Sequence, residues 1–234
     1  IQYVLLTHYH AVRVLGASAY FAEGASEIIA SQGTYELIVE RGAEDMKSEM
    51  ERFPRLFRGA DSIPGLTWPT LVIGGGDPFK GELPGRLTVD LGGVKVQIWS
   101  PGAGHTRGDT IAVVPDARTV YTGDILFIGG TPIVWAGPLS NWVAACDLML
   151  AMDIDTVVPG HGPVTDVSGI ADMREYLVYI DKQVEAARRA GKDWKRAAWE
   201  IDLGPYDDLH EADRVVVTVY RIYRDRDPST PELS

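Results

Sequence analysis

Short apolar runs bounded by glycine, proline and polar turns fill much of the chain. Between and after them lie longer stretches in which apolar positions recur at helical spacing. The runs Ile1–Leu6, Glu27–Ser31, Thr70–Ile73 and Thr156–Val158 predict buried strands. Arg86–Leu91 and Val94–Ser100 flank Gly92-Gly93, a hairpin signature. Thr110–Val114 and Thr119–Tyr121 predict a second hairpin that turns at Pro115-Asp116. Helices are expected over Val12–Glu23, Thr34–Leu56, Asn141–Met152 and Asp193–Ile201. In Ser168–Ala190 the residues Ile170, Met173, Leu177, Ile180, Val184 and Ala187 form one apolar stripe, with Ser168 as N-cap and Gly191 as stop. Leu209–Arg226 is Val-rich like a strand but spaces Leu209, Val216, Val219 and Ile222 like a helix. Helix is the preferred reading, with a frayed tail from Asp227. Strands interleaved with helices imply a layered α/β domain spanning 1–234, with 192–234 as a helical extension.

Arg58–Arg86 is rich in proline and glycine and predicts loops around the Thr70–Ile73 strand. Its run Gly74-Gly-Gly76 has neither the GxxxxGK[ST] pattern nor GxGxxG spacing ahead of a helix, so it is not a phosphate loop. The formal net charge of -11 disfavours binding to a phosphate backbone, so no nucleic-acid partner is expected. No apolar run has the length of a membrane span, and no membrane partner is expected. A single cysteine, Cys146, excludes an intrachain disulfide and reads as a buried core thiol. No signal-peptide pattern opens the sequence, which together with the lone thiol points to the cytoplasm. The first residue is Ile1, which is expected of a processed or partial chain.

Four of the five histidines, His8, His10, His105 and His161, sit at predicted strand ends or in glycine-rich turns. Residues two apart in extended backbone share a face, so His8 and His10 can grip one metal ion, with Tyr9 turned the other way into packing. His105 would complete a three-histidine site with an open fourth position, the arrangement of catalytic zinc. Asp109 is expected to hydrogen-bond within its own turn, and His210 lies outside the cluster. Most tryptophans, Trp68, Trp99 and Trp142 among them, read as core. Trp135, in Gly129–Pro138, is placed to reach a substrate.

Four segments, in order, resemble the successive motifs of the metallo-β-lactamase superfamily: Thr7-His-x-His10, Gly104-His-Thr-x-Gly-Asp-Thr110, Tyr121-Thr-Gly-Asp-Ile-Leu-Phe127 and Val158-Pro-Gly-His-Gly-Pro163. The resemblance runs from Ile1 to about Tyr179. It implies a four-layer αββα sandwich with a metal site at one edge, and one or two strands ahead of Ile1 that this sequence lacks. It implies that His8, His10 and His105 hold a first metal, that His161 contributes to a second, and that Asp124 bridges the two.

The family's HxHxDH motif here reads His8-Tyr-His-Ala-Val-Arg13, so Val12 and Arg13 replace the aspartate and the last histidine. An arginine about 4 Å from a divalent ion would cost up to roughly 8 kcal/mol at an effective dielectric near 20. Either Arg13 points away, or Asp124 stands between Arg13 and the metal, paired bidentately with the guanidinium, whose charge then replaces the second ion.

The leading reading is therefore a metallo-hydrolase that cleaves a small-molecule ester, thioester or lactone through a metal-bound hydroxide at a mononuclear site. Zinc is preferred over iron, and one ion over two. Asp124 and His161 are its catalytic candidates, and Arg13 and Trp135 its substrate-binding candidates. The alternative is a metal-free, degenerate member that acts as a binding or scaffold protein, with Arg13 holding an anion. A three-histidine iron oxygenase ranks lower, because it lacks the carboxylate of the usual facial triad. The sequence specifies neither the substrate nor the oligomeric state.

Overall fold

The computed structural model describes residues 1–55, 57, 66–75 and 85–231. Most of the loop region expected over Arg58–Arg86, including Pro64-Gly65, Gly76 and Pro84, lies outside these residues.

Strands β1 (Tyr3–Leu5), β2 (Glu27–Ser31) and β3 (Leu71–Ile73) form a parallel sheet in that order. Helices α1 (Ala11–Val14), α2 (Ala17–Ala22) and α3 (Gln32–Arg52) lie between them in sequence. A second sheet runs in the order β4 (Arg86–Asp90), β5 (Lys95–Trp99), β6 (Ile111–Val114), β7 (Thr119–Phe127) and β8 (Thr156–His161). Its pairs are antiparallel except β7 with β8. Helices α4 (Leu139–Leu150), α5 (Val167–Arg189), α6 (Trp194–Glu200) and α7 (Val215–Arg226) complete the fold.

Three buried clusters define four layers. Leu6, Val14, Ile28, Ala30, Leu37 and Ile38 pack the first sheet against its helices. Ile29, Ile73 and Ile98, with Leu5, Leu71 and Val96 around them, fill the space between the sheets. Ile111, Val120, Leu126, Trp142, Cys146, Met149, Leu177 and Ile180 pack the second sheet against α4 and α5. Strand β2 shows the cause most directly. Its alternation sends Ile28 and Ala30 to the helices and Ile29 to the facing sheet, so both faces are covered, as a parallel sheet requires. This is the expected αββα sandwich. Helices α6 and α7 join the same core through Ala197, Val215, Val219 and Ile222.

Several boundaries differ from expectation. The single helix over Val12–Glu23 is two short helices separated at Leu15-Gly16. Helix α3 ends at Arg52, and Leu56 falls outside the described residues. Helix α5 is capped by Asp166, whose carboxylate accepts from the Ser168 amide at 2.8 Å, so Ser168 is not the cap. Gly191 stops that helix with a φ of 73°. The segment Leu209–Arg226 is helical only from Val215, after a turn of 3-10 helix at Ala212–Arg214. The expected fraying from Asp227 does not occur over 227–231. Thr230 is buried, its amide donates to the Asp227 carbonyl and its carbonyl accepts from Arg224.

Candidate metal centre

The strand β1 ends at Leu5 and delivers Thr7–His10 to the end of the sheets. Thr110 ties this segment to the second sheet by donating its amide to the Thr7 carbonyl at 2.8 Å. The His10 carbonyl then accepts from the amides of Arg13 and Val14, so the turn that exposes His10 also fixes Arg13. As expected, His8 and His10 come together, with ring centroids 4.8 Å apart. Tyr9 is buried among Leu6, Val14 and Leu37, although it also borders the cleft over the site.

His105 sits in the loop ahead of β6. Asp109 holds that loop: its carboxylate accepts from the amides of Gly104 (3.2 Å) and Thr106 (2.9 Å) and from the Thr106 hydroxyl (2.6 Å). This is the local role expected of Asp109. Burial pushes its carboxyl up to about 7, and the Thr106 hydrogen bonds oppose that shift. The 128–138 loop is stitched to His105 twice. His105 Nδ1 lies 2.7 Å from the Ile133 carbonyl, and the Trp135 amide donates to the His105 carbonyl at 3.1 Å. A carbonyl can only accept, so Nδ1 carries the proton and Nε2 presents its lone pair to the site.

Asp124 lies within β7, which continues to Phe127 rather than stopping at Tyr121. The register against β8 slips at Gly123, whose φ is 52°, and this bulge turns Asp124 toward the histidines. Gly123 has no alternative, since a Cβ there would meet the Thr7 side chain at 2.7 Å. Strand β8 likewise runs on to His161, and as the edge strand it tolerates Pro159. The His161 ring stacks on Phe127 at 4.5 Å, and half of its side chain is exposed.

These elements bring together His8, His10, His105 and Asp124, whose ligand atoms lie within 4.8 Å of one another. Asp124 Oδ2 is 3.4 Å from His8 Nε2 and 3.6 Å from His105 Nε2, and His10 Nδ1 is 3.2 Å from His105 Nε2. His8 Nε2 is buried with no hydrogen-bond partner. Converging lone pairs, one of them on a buried imidazole nitrogen without a partner, repel one another unless a cation lies among them, so this set fits a metal ion. Burial, opposed by the charge of Asp124, holds His8 well below the usual histidine range, His10 at about 4 and His105 at about 3. All three are therefore neutral at pH 7, the form that ligates a metal. Burial would raise the Asp124 carboxyl, but the hydrogen bond from His161 and the nearby His8, His105 and Arg13 outweigh it and keep Asp124 ionised.

His161 Nε2 stands 3.2 Å from Asp124 Oδ2, outside the four-residue group. Arg13 does not point away. Its Nη2 donates to Asp124 Oδ1 at 2.8 Å, so Asp124 does stand between Arg13 and the histidines. The pair rests on a single guanidinium nitrogen rather than the bidentate contact expected, because the same Nη2 also reaches the Gly160 carbonyl at 3.3 Å.

The centre opens into a cleft of about 420 Å³. Trp135 lines it, 48% exposed, with its ring 6.0 Å from His10. Trp142 is core, as expected. Trp68 is instead 47% exposed against Tyr35, and Trp99 is partly buried beneath the Arg86 guanidinium. His210 is exposed and belongs neither to the group of four nor to the lining of the cleft. Sequence reasoning missed the cleft wall made by Arg41, Asp45, Ser48, Glu49 and Arg52 of α3, and also Phe127 beneath His161. The α3 residues share one face by their spacing, but nothing in the sequence tells which face meets the site.

An αββα sandwich with three histidines and an aspartate converging at one end of its sheets defines a class of metal-site proteins. The chain belongs to the metallo-β-lactamase superfamily, whose family model matches residues 1–161. The chain is 26% identical over 163 residues to the 2,4-dinitroanisole O-demethylase subunit alpha of Nocardioides sp. (strain JS1661), covering 68% of this chain and 39% of that relative. It thus spans well under two thirds of the curated relative's length. Among solved structures, it resembles a metallo-β-lactamase from Pontibacter korlensis (TM-score 0.55, 18% identity, 76% of this chain and 69% of that one). It also resembles a stereoselective inverting sec-alkylsulfatase from Pseudomonas sp. (TM-score 0.67, 16% identity, 96% and 41%). At these identities the solved structures establish the fold. Among the described residues, no helix is long and apolar enough to cross a membrane.

Proposed function

We propose that this chain is a metal-dependent hydrolase that cleaves an ester-type bond (ester, thioester or lactone) in a small molecule. The convergence of His8, His10, His105 and Asp124 on one point at the floor of an open cleft carries this reading. A divalent ion held there, zinc in preference to iron, supplies Lewis-acid activation of water at neutral pH.

The chain's own residues do the rest. Asp124 is fixed by Arg13 and presents Oδ2 to the reacting centre, orienting the attacking water. His161, half exposed and braced on Phe127, faces the leaving side and exchanges a proton at Nε2. Trp135 supplies a flat apolar surface for the acyl or alcohol portion of the substrate. Arg13 takes part through Asp124, because its Nη2 is committed to that carboxylate. The relatives' printed activities, removal of an O-methyl group and cleavage of a sec-alkyl sulfate, also break bonds to oxygen.

The test is a screen of the zinc-loaded full chain against aryl esters, thioesters and lactones, with sulfate esters and aryl methyl ethers alongside. Turnover of one of the first three classes that is abolished by chelator supports the reading. Turnover confined to the sulfate or ether panel replaces the substrate class, and no turnover in any panel removes the hydrolase reading.

A further inference from the structure

The Nη2 atom of Arg13 is placed as a bound cation would be. Asp124 Oδ1 at 2.8 Å and the Gly160 carbonyl at 3.3 Å face it, and His161 Nε2 lies 3.4 Å away. Only some of these contacts act as hydrogen bonds at one time. Nε2 cannot accept from Arg13 while its proton is given to Asp124, and the 3.2 Å contact to the carboxylate is the shorter. The two oxygens, one of them a carboxylate's, offer a cation at this point both negative charge and hydrogen-bond acceptors. This cage is also tightly built. A Cβ at Gly160 would come within 2.2 Å of Asp124 Oδ1, so the carbonyl and the carboxylate lie side by side only because residue 160 has no side chain.

We propose that the Arg13 guanidinium is the permanent second cation of this centre, so that the chain binds one divalent metal ion and Arg13 fills the position where a second would sit. The inference rests on the metal-site reading above and deepens it. The two oxygens of Asp124 divide the work. Oδ1 is taken by Arg13, while Oδ2 faces His8 and His105. This is not a solvent-exposed surface pair, since the Asp124 side chain is only 5% exposed and that of Arg13 31%. The charges of Arg13 and Asp124 cancel, so a single ion on the three histidines keeps its full double charge. The position is set by the backbone, because the turn after His10 that places Arg13 is the same turn that presents His10. The neighbouring Val12 is 65% exposed and borders the cleft, so a carboxylate there would face the same space.

The decisive experiment counts zinc ions bound by the chelator-treated full chain, by calorimetric titration. It compares the wild type with Arg13→Lys, Arg13→Ala and the double variant Val12→Asp/Arg13→His. One ion per chain is expected in the wild type and in Arg13→Lys, which keeps a cation. A second ion is expected in Arg13→Ala, where the cage is vacated, and in the double variant, where it gains two ligands. Two ions in the wild type would overturn the inference, as would a single ion in both Arg13→Ala and the double variant when melting curves show them folded. Should those two variants fail to fold, the wild-type and Arg13→Lys counts decide, one supporting the inference and two overturning it. No zinc in the wild type removes this inference and the metal reading together. One ion without hydrolysis in any substrate panel removes the hydrolase reading alone.

Discussion

At the scale of single residues, the centre is governed by which nitrogen of each histidine is free. The Ile133 carbonyl takes the Nδ1 proton of His105 and so leaves the Nε2 lone pair facing the site, and Asp109 keeps the loop that carries His105 in place. Asp124 combines two duties, one oxygen for Arg13 and one for the histidines. Substituting Asp124→Asn removes the charge that satisfies both. The expected loss of zinc affinity exceeds the roughly 10–100-fold typical of losing an outer partner, read by titration against a chelating indicator. Trp135 lines the cleft with its ring 6.0 Å from that of His10, and the role proposed for it is to contact substrate. Trp135→Ala is expected to raise KM by roughly two- to tenfold, the worth of one aromatic contact, with kcat little changed and zinc content unaltered. A fall in zinc content would instead make Trp135 a support of the centre.

At the scale of elements, the two β-strands that carry Asp124 and His161 pair with register shifts and pack closely at their glycines. Gly160→Ala would press a methyl group onto Asp124 Oδ1 at 2.2 Å and onto the Gly123 backbone at 2.6 Å. A destabilisation at or above the roughly 1–3 kcal/mol of overpacking is expected, together with loss of zinc, read by chemical denaturation and metal analysis. These same strands mark where the sequence was hardest to read. Glycine and proline in Thr122-Gly-Asp124 and Pro159-Gly160 imitate turns, yet both segments stay in the sheet, one as a bulge and one on an edge strand. Regular elements were legible from an unbroken apolar run, as in β2, or from one dominant helical period, as in α5. The convergence of His8, His10, His105 and Asp124 was legible because histidines at strand ends are unusual and the order of the motifs matched a known pattern. The α3 wall of the cleft was not legible, because its charged face looks like any solvated helix face until tertiary packing sets it beside His10.

At the scale of the whole molecule, burial that holds the three histidines neutral couples the centre to folding. Without metal, the unfolded chain takes up protons on His8, His10 and His105 as pH falls below about 6.5, while the native state holds His10 neutral to about 4 and His105 to about 3. Stability of the metal-free protein therefore falls as pH drops through that window. Asp109 acts in the opposite sense. Its native carboxyl keeps a proton up to about 7, whereas the unfolded one releases it near 3.8, so this group favours folding more as pH drops. Three groups outweigh one, and a net loss toward acid pH is expected. In Asp109→Asn, whose amide can still accept from the backbone and donate to the Thr106 hydroxyl, that loss should steepen by about 1.4 kcal/mol per pH unit between pH 4.5 and 6. Urea titrations across that range check it, and an unchanged slope would show that Asp109 is ionised throughout.

Whether His8, His10, His105 and Asp124 hold a metal ion is decided by the metal content of the protein. The full chain, purified without chelator and reconstituted with zinc, is analysed for elements beside His105→Ala. About one ion per chain is expected in the wild type and far less in His105→Ala, with both proteins melting cooperatively in chelator. Metal well below one per chain in the reconstituted wild type, or equal content in the two proteins, would contradict it.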